Sequence, residues 1–261
     1  MRRRILRAVA GTLALTLLGA SGNATPHPRA GSERPPVARA SAEVFHAYLA
    51  ALAAIRRPKA LSFDYTVSQL GVHDMEQTHR VYRSGLDERD ETLFVDGYTL
   101  KAPAVRILRN RTYRYDLTSV APRPAQYAFA FRGATRTLGT YAYTFRTAPR
   151  SARAFEVLEV EIDGRTLLPA VVRFRIAGSK ARGVGSLRYG LSDSHWVVRE
   201  ARVTAKIAGG RTARERIAWS NYRFYDALPK STFDAPKPAV SPPLTTGAPA
   251  APPPVAGGRS F

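Results

Sequence analysis

The sequence contains no cysteine among its 261 residues. It therefore forms no disulfide, holds no metal through thiolates and offers no cysteine for a bacterial lipid anchor. Long hydrophobic runs are also missing, because no stretch beyond the N-terminal segment approaches the 18 apolar residues of a membrane-spanning helix. A mature, exported form of this chain is thus expected to be soluble.

Negative charge is scarce, since 20 acidic residues face 40 basic ones and the formal net charge is +20. Only six of the basic residues are lysine, so 34 are arginine, the residue suited to bidentate contact with phosphate or carboxylate. This balance favours transient contact with anionic membrane surfaces. An arginine-rich coding bias with a well-solvated surface explains the composition equally well.

The residue patterns of a metal site or a hydrolase are absent. His73 and His79 would lie about 20 Å apart in an extended segment, at about 3.3 Å per residue, too far to share one ion. Residues 190–194 read GLSDS and lack the second glycine of a nucleophile elbow. Gly183 and Gly185 precede no helix that could hold a phosphate. We therefore expect no bound metal and no cofactor.

One acidic cluster invites a catalytic interpretation, at Glu156, Glu159, Glu161 and Asp163. In a regular strand Glu156 differs in parity from Glu159 and Glu161, so the three carboxylates would not share a face. We interpret them as the solvated edge of a strand. With no catalytic constellation in the sequence, an enzyme is not expected.

The two ends of the chain differ from its middle. Residues 1–24 combine a basic start, a short apolar run and small residues at the spacing of signal-peptidase cleavage, which predicts a secretory signal peptide. Residues 25–40 form a linker, and residues 235–261 form a Pro/Ala/Gly-rich tail; both have the composition of disordered segments. One domain is left at 41–234. The protein is expected in the periplasm if the organism has an outer membrane, and otherwise outside the cell or at its wall.

The domain begins with one amphipathic helix. Ser41 can cap it, and residues 56–58, Arg-Arg-Pro, end it. Apolar residues recur between these points at steps of three and four, which gives the helix one broad apolar face. The residues of that face are Val44, Phe45, Tyr48, Leu49, Leu52 and Ile55.

From Leu61 onward the hydrophobic period changes to two, as in half-buried strands. The alternating runs lie near residues 61–67, 76–83, 91–95, 104–109, 112–117, 125–132, 139–147, 154–162, 167–176, 184–191, 195–207 and 212–225. Short turns such as Asp163-Gly164 separate successive runs, and no second long helical pattern follows. The pattern predicts a mainly β fold: a half-open antiparallel β-barrel or strongly curved sheet, with the helix as a lid across its concave face.

Residues 127–147, YAFAFRGATRTLGTYAYTFRT, place aromatic rings at alternate positions of two neighbouring strands. Rings at alternate positions share one face, which forms either an ordinary core or the wall of an apolar cavity. We favour the cavity wall, because four tyrosines in the predicted inner strands need partners for their hydroxyls. The predicted lining residues are Phe63, Tyr65, Tyr127, Phe129, Phe131, Tyr141, Tyr143 and Phe145.

The end of the domain carries a resemblance to a known family. Residues 195–234 contain Trp196-Val197-Val198 on one strand, then Asn221-Tyr222-Arg223-Phe224, Ala227-Leu228-Pro229 and Phe233. This succession is similar to the closing hairpin of the LolA/LolB-like superfamily, which comprises periplasmic lipoprotein carriers and outer-membrane lipoprotein-sorting proteins. The signal peptide, the single helix and the strand at residues 61–67 agree with it.

The resemblance implies a half-open barrel whose apolar interior takes up acyl chains or lipidated proteins. It also implies an early-strand arginine that contacts the lid, for which Arg83 or Arg80 is the candidate. Without cysteine, the soluble carrier form is implied rather than the membrane-anchored acceptor. The long Pro-rich tail and the basic balance are departures from these carriers.

Three functions remain open from the sequence. The first is an exported, monomeric carrier or binder of lipid, lipoprotein acyl chains or another hydrophobic ligand. The second is a non-enzymatic envelope sensor or scaffold that binds a protein partner on the same fold. The third, a binder of phosphate polymers or nucleic acid through arginines alternating with aromatics, as at residues 113–115, is disfavoured by export. We expect no nucleic-acid partner.

Overall fold

The computed structural model describes residues 41–72, 74–111, 115–137, 140–178, 181–207 and 209–234. The predicted signal peptide, linker and tail lie outside these ranges. The elements are α1 (Ser41–Ala54), β1 (Ala60–Leu70), β2 (Met75–Ser84), β3 (Asp87–Val95), β4 (Tyr98–Leu108), α2 (Leu117–Val120), β5 (Tyr127–Thr137), β6 (Thr140–Pro149), β7 (Phe155–Asp163), β8 (Pro169–Ala177), β9 (Ala181–Ser192), β10 (His195–Ile207), β11 (Thr212–Tyr225) and a final 3₁₀ turn (Lys230–Phe233).

All described strands belong to one antiparallel sheet of eleven strands, ordered β4-β3-β2-β1-β11-β10-β9-β8-β7-β6-β5. Each strand pairs with its neighbour in sequence, except that β1 pairs with β11 and so joins two meanders. The sheet does not close, because β4 and β5 remain its two edges. The half-open, curved antiparallel sheet predicted from the sequence is confirmed.

The sheet has an apolar face and a charged face. A continuous row of paired residues crosses the apolar face from β6 to β1, namely Phe145, Val160, Val172, Leu187, Ala201, Ile217 and Val67. Most of this row is buried. We call this side the inner face. The opposite, outer face carries ion pairs such as those from Arg173 to Glu159 and Glu161.

A β-bulge corrects the expectation for the acidic cluster. The register of β7 against β8 shifts between Val157 and Glu159, so two residues of β7 oppose one step of β8. The shift reverses strand parity and places Glu156 on the outer face together with Glu159 and Glu161. Glu156 pairs there with Arg175 of β8. Contrary to the expectation for a regular strand, the three glutamates share one face, where arginines of the neighbouring strand neutralise them.

The helix α1 lies on the inner face, as its amphipathic pattern predicts. Its buried residues Val44, Tyr48 and Leu52 follow each other at steps of four and form one stripe against the core. Among the described residues no helix is long and apolar enough to cross a bilayer. The sequence predicts a strand at residues 112–117. Its last residue, Leu117, instead begins the short helix α2, which Asp116 caps.

Candidate ligand-binding face beneath the lid helix

The lid helix α1 and the β5–β6 hairpin meet through aromatic rings. The ring of Phe45 lies with its centroid 4.7 Å from that of Phe129 and 6.0 Å from that of Phe145. Tyr48 is 6.4 Å from Phe129 by the same measure and is fully buried. The rings fill the space below α1. The inner face is therefore a packed core in this closed arrangement, and a ligand would have to displace the lid to reach it.

The six rings of the β5–β6 hairpin share the inner face. The pairing of Phe131 with Phe145 fixes the register, and alternation along each strand then places the other rings on the same side. Tyr127, Tyr143 and Phe145 are buried, Phe129 and Tyr141 are half-buried, and Phe131 is 39% exposed. The exposure of the rings thus increases along β5, from the buried Tyr127 to Phe131 at the rim.

Tyr127 shows how a buried tyrosine is accommodated here. Its hydroxyl accepts a hydrogen bond from the backbone N–H of Val157, at 3.2 Å, while the Thr147 hydroxyl donates to the Val157 carbonyl at 2.7 Å. The described pairing of β6 with β7 ends at Arg146 and Glu159, so Val157 lies beyond it. The side chains of Tyr127 and Thr147 therefore satisfy its backbone groups.

Two polar contacts fasten the lid to the loop that carries α2. The Tyr48 hydroxyl donates to the Pro122 carbonyl at 2.7 Å in a buried setting. Burial raises the pKa of Tyr48, and the charge of Arg123 opposes this rise. Just beyond α1, Arg57 forms an ion pair with Asp116 at 2.7 Å and donates to the Thr118 hydroxyl. The lid is thus held by one buried hydrogen bond and one exposed charged pair.

Phe63 and Tyr65, the other predicted lining residues, lie on β1 in the opposite arm of the sheet. Phe63 is buried beside Tyr222, at 5.3 Å between ring centroids. Tyr65 stacks on the imidazole of His79 at 4.5 Å with nearly parallel planes. The structure therefore divides the eight predicted residues into a hairpin group beneath α1 and a β1 group outside the ring contacts observed for the lid.

Beside Tyr65 lies a buried polar cluster that the sequence reasoning missed. Asp90, 3% exposed, accepts hydrogen bonds from Tyr65 at 3.2 Å and from Arg106 at 2.9 Å, and it lies 2.8 Å from Nδ1 of His79. Burial raises the pKa of Asp90, but the hydrogen bonds and charges of His79 and Arg106 outweigh it, so the pKa lies below its usual value. A signal was present: Glu88, Asp90 and Thr92 alternate on one side of β3.

Arg83, the predicted lid-contacting arginine, lies at the end of this cluster. It donates to Glu88 at 2.5 Å and its guanidinium lies 4.9 Å from the centre of the Phe63 ring. Glu88 is also 3.3 Å from Arg111. The arginine observed between the lid and the α2 loop is Arg57, and a contact of Arg83 with the lid stays a prediction. Arg80, the second candidate, pairs with Asp64 on the outer face.

The described residues bring together no group of three or more His, Cys, Asp or Glu side chains that could hold a metal ion. His73, Tyr113 and Arg114 lie outside those residues. The chemistry available on the inner face is therefore that of apolar contact, with hydrogen bonding at its two ends.

Comparisons with known proteins gave solved structures of low identity. No family model matches the sequence, and no curated protein is significantly similar to it. Among solved structures, a DUF1329 family protein from Desulfovibrio piger covers 73% of this chain and 97% of its own, with 14% identity and a TM-score of 0.43. A putative outer membrane lipoprotein-sorting protein domain from Vibrio parahaemolyticus covers 74% and 95%, with 12% identity and a TM-score of 0.42.

A third similar structure, the LolA superfamily protein NE2245 from Nitrosomonas europaea, covers 74% of this chain and 97% of its own, with 9% identity and a TM-score of 0.37. At these identities and TM-scores the similarity is low. The described residues form an open curved antiparallel sheet with a helix on its inner face.

Proposed function

We propose that the protein is an exported binder or carrier of lipid or acyl-bearing molecules, which it holds on the inner face of the sheet after displacement of α1. The observation that carries this proposal is the aromatic contact between the lid and the hairpin. Phe45 and Tyr48 are the parts of α1 that cover Phe129 and Phe145. A long apolar chain can replace these rings without exposing the inner face to water.

The magnitudes support such an exchange. Five lid residues, Val44, Phe45, Tyr48, Leu49 and Leu52, face the core. At about 2 kcal/mol for each side chain, their burial contributes about 10 kcal/mol. An acyl chain gains about 0.8 kcal/mol per buried methylene, so about 12 methylenes offset the loss of the lid contacts. Chains shorter than about eight carbons should therefore bind poorly, and chains of about 14 or more should bind.

The first experiment is to purify the mature domain under mild conditions and to extract it for mass spectrometry. Recovery of stoichiometric lipid is expected if the protein carries lipid. In parallel, delipidated protein is titrated with the neutral fluorescent probe N-phenyl-1-naphthylamine, which is then displaced by alcohols of eight to sixteen carbons. Displacement should strengthen about fourfold with each added methylene and become marked near twelve carbons, because shorter chains cannot replace the lid contacts.

A matched pair of variants locates the binding face. Phe129→Asp places a carboxylate beneath α1 and should abolish probe binding while the sheet stays folded. Ala130→Asp, on the same edge strand but on its exposed outer side, should bind the probe as the parent does. Protein that is recovered empty and gains no thermal stability from any acyl ligand contradicts the proposal. It would favour the second function, a sensor or scaffold for a protein partner.

A further inference from the structure

The sequence around the β5–β6 hairpin is basic without acidic counterparts. Residues 117–155 contain six arginines and no aspartate or glutamate. Elsewhere the described arginines mostly meet carboxylates, as Arg173 and Arg175 do on β8. The aromatic wall beneath the lid therefore lies in a long part of the domain sequence that carries positive charge and no acidic residue.

Three of these arginines gather at one end of the hairpin, around the turn at residues 123–126. Arg123 lies in this turn, and its carbonyl accepts from the N–H groups of Gln126 and Tyr127, both at 2.9 Å. Arg150, which follows β6, donates through Nε to the Pro124 carbonyl at 2.8 Å. The guanidinium of Arg153 lies 5.8 Å from the centre of the Tyr127 ring. None of the three has an acidic partner in the described part of the chain.

Arg153 adds an independent observation. Its Nε is the one buried side-chain nitrogen or oxygen atom in the described residues that lacks a hydrogen-bond partner. A buried donor without an acceptor is costly, and in native proteins it calls for a specific explanation such as a bound ion or water. An anionic oxygen beside Tyr127 would satisfy this donor and would meet the charges of Arg123 and Arg150.

The same turn is in contact with the lid. The carbonyl of Pro122, next to Arg123, receives the hydrogen bond of Tyr48 from α1. Tyr127, the first ring of β5, is followed on the inner face by Phe129 and Phe131. A molecule with its anionic group at the turn would thus have its apolar part directed along the aromatic row that α1 covers.

We propose that Arg123, Arg150 and Arg153 form the headgroup site of an anionic amphiphile, with a carboxylate or phosphate on a long acyl chain. This inference rests on the proposed function and adds the chemical class of its ligand. Arginine suits the role because its planar guanidinium pairs two N–H groups with two oxygens of carboxylate or phosphate. The half-buried position of Arg153 reduces the screening of its charge by salt.

The test compares ligands that share one chain and differ in their headgroup. Palmitate, hexadecyl phosphate, hexadecanol and hexadecyltrimethylammonium are titrated against N-phenyl-1-naphthylamine bound to the delipidated protein. The two anions should displace the probe at concentrations at least tenfold lower than the alcohol, and the cation should be the weakest. Inorganic phosphate is titrated alone to separate a lipid headgroup from a free anion.

Variants then assign the preference to these arginines. Arg123→Gln with Arg150→Gln changes two exposed residues and should reduce the preference for anions about tenfold or more, with hexadecanol binding unchanged. Arg153→Gln should do the same, and Arg153→Lys should restore part of the preference through its charge. The control variant, Arg182→Gln with Arg214→Gln, loses the same charge on the outer face. It should keep the full preference for anions.

The outcomes separate the two proposals. Equal binding of palmitate and hexadecanol overturns the headgroup site and leaves the acyl-binding function standing. A preference that survives in the arginine variants, or that falls equally in the outer-face control, also overturns it. Binding of inorganic phosphate as tight as that of hexadecyl phosphate shows a free-anion site and refutes the amphiphile. Absence of binding by every ligand, the neutral probe included, refutes the proposed function itself.

Discussion

If α1 is a displaceable lid, it should open more readily than the sheet that it covers. Hydrogen exchange measures this directly, because local opening exposes the amides of one element while the others stay protected. We expect the amides of α1 to exchange through a local opening, and those of β8 to β10 only near the global free energy of unfolding, which is about 5–15 kcal/mol for a domain.

Phe129→Ala is the decisive perturbation. Removing a fully buried phenylalanine costs about 3–5 kcal/mol, and Phe129 is half-buried against Phe45, so about 2 kcal/mol of lid contact should be lost. This loss should accelerate exchange in α1 about 30-fold, at 1.36 kcal/mol per factor of ten. Exchange in the central strands proceeds through global unfolding and should accelerate by the same factor, because the open-lid state and the unfolded state both lack this contact, but it should stay slower than exchange in α1.

Phe131→Ala is the matched control, since it removes the same side chain from the same face of β5 at a site that is 39% exposed. It should accelerate exchange in α1 less than fivefold. If the amides of α1 and those of β8 to β10 show the same free energy of opening in the parent and in both variants, then helix and sheet open as one unit. The lid reasoning would then be refuted, and the aromatic face would be an ordinary core.

Three further predictions concern single contacts. Asp90→Asn should lower the free energy of unfolding by about 2–4 kcal/mol, measured in urea, because it leaves buried donors facing a weaker acceptor. The pKa of Asp90 is depressed in the folded state, so its contribution is complete above about pH 4, the unfolded value, and is lost as pH falls through the lower folded pKa. Stability of Asp90→Asn should therefore decline less between pH 5 and pH 2 than that of the parent, and parallel curves would contradict the assignment. Tyr48→Phe leaves the buried Pro122 carbonyl without its donor and should speed exchange in α1 about tenfold, with β9 still exchanging more slowly than α1. Gly185→Ala should lower the melting temperature by several degrees, because a Cβ there would lie 2.5 Å from the Phe174 ring, and an unchanged melting temperature would refute that close packing.

Local pattern predicted the regular parts of the site well. Alternation at residues 127–131 and 141–145 depends only on the pleat of a strand, and the structure places all six rings on one face as expected. The four-residue stripe of α1 is equally local. The bulge in β7 was not predictable in this way, because an inserted residue reverses parity without a sequence signal as strong as the hydrophobic period.

The hydrophobic pattern of the sequence could not predict pairings between distant segments. His79 and Asp90 meet because β2 and β3 pair in one register, and Arg57 meets Asp116 because α1 crosses to the α2 loop. Charge along the sequence shows that residues 117–155 lack acids, but only the fold brings Arg123, Arg150 and Arg153 to one turn.

The sequence by itself determined the class of fold, the order of its elements and the face on which the rings lie, because helix and strand periods are local properties of the backbone. Tertiary structure decided that α1 packs over Phe129 and Phe145. It also decided which polar groups lie at the ends of that contact. Whether a row of rings is covered by its own helix depends on contacts between residues far apart in the chain, and no local period encodes those contacts.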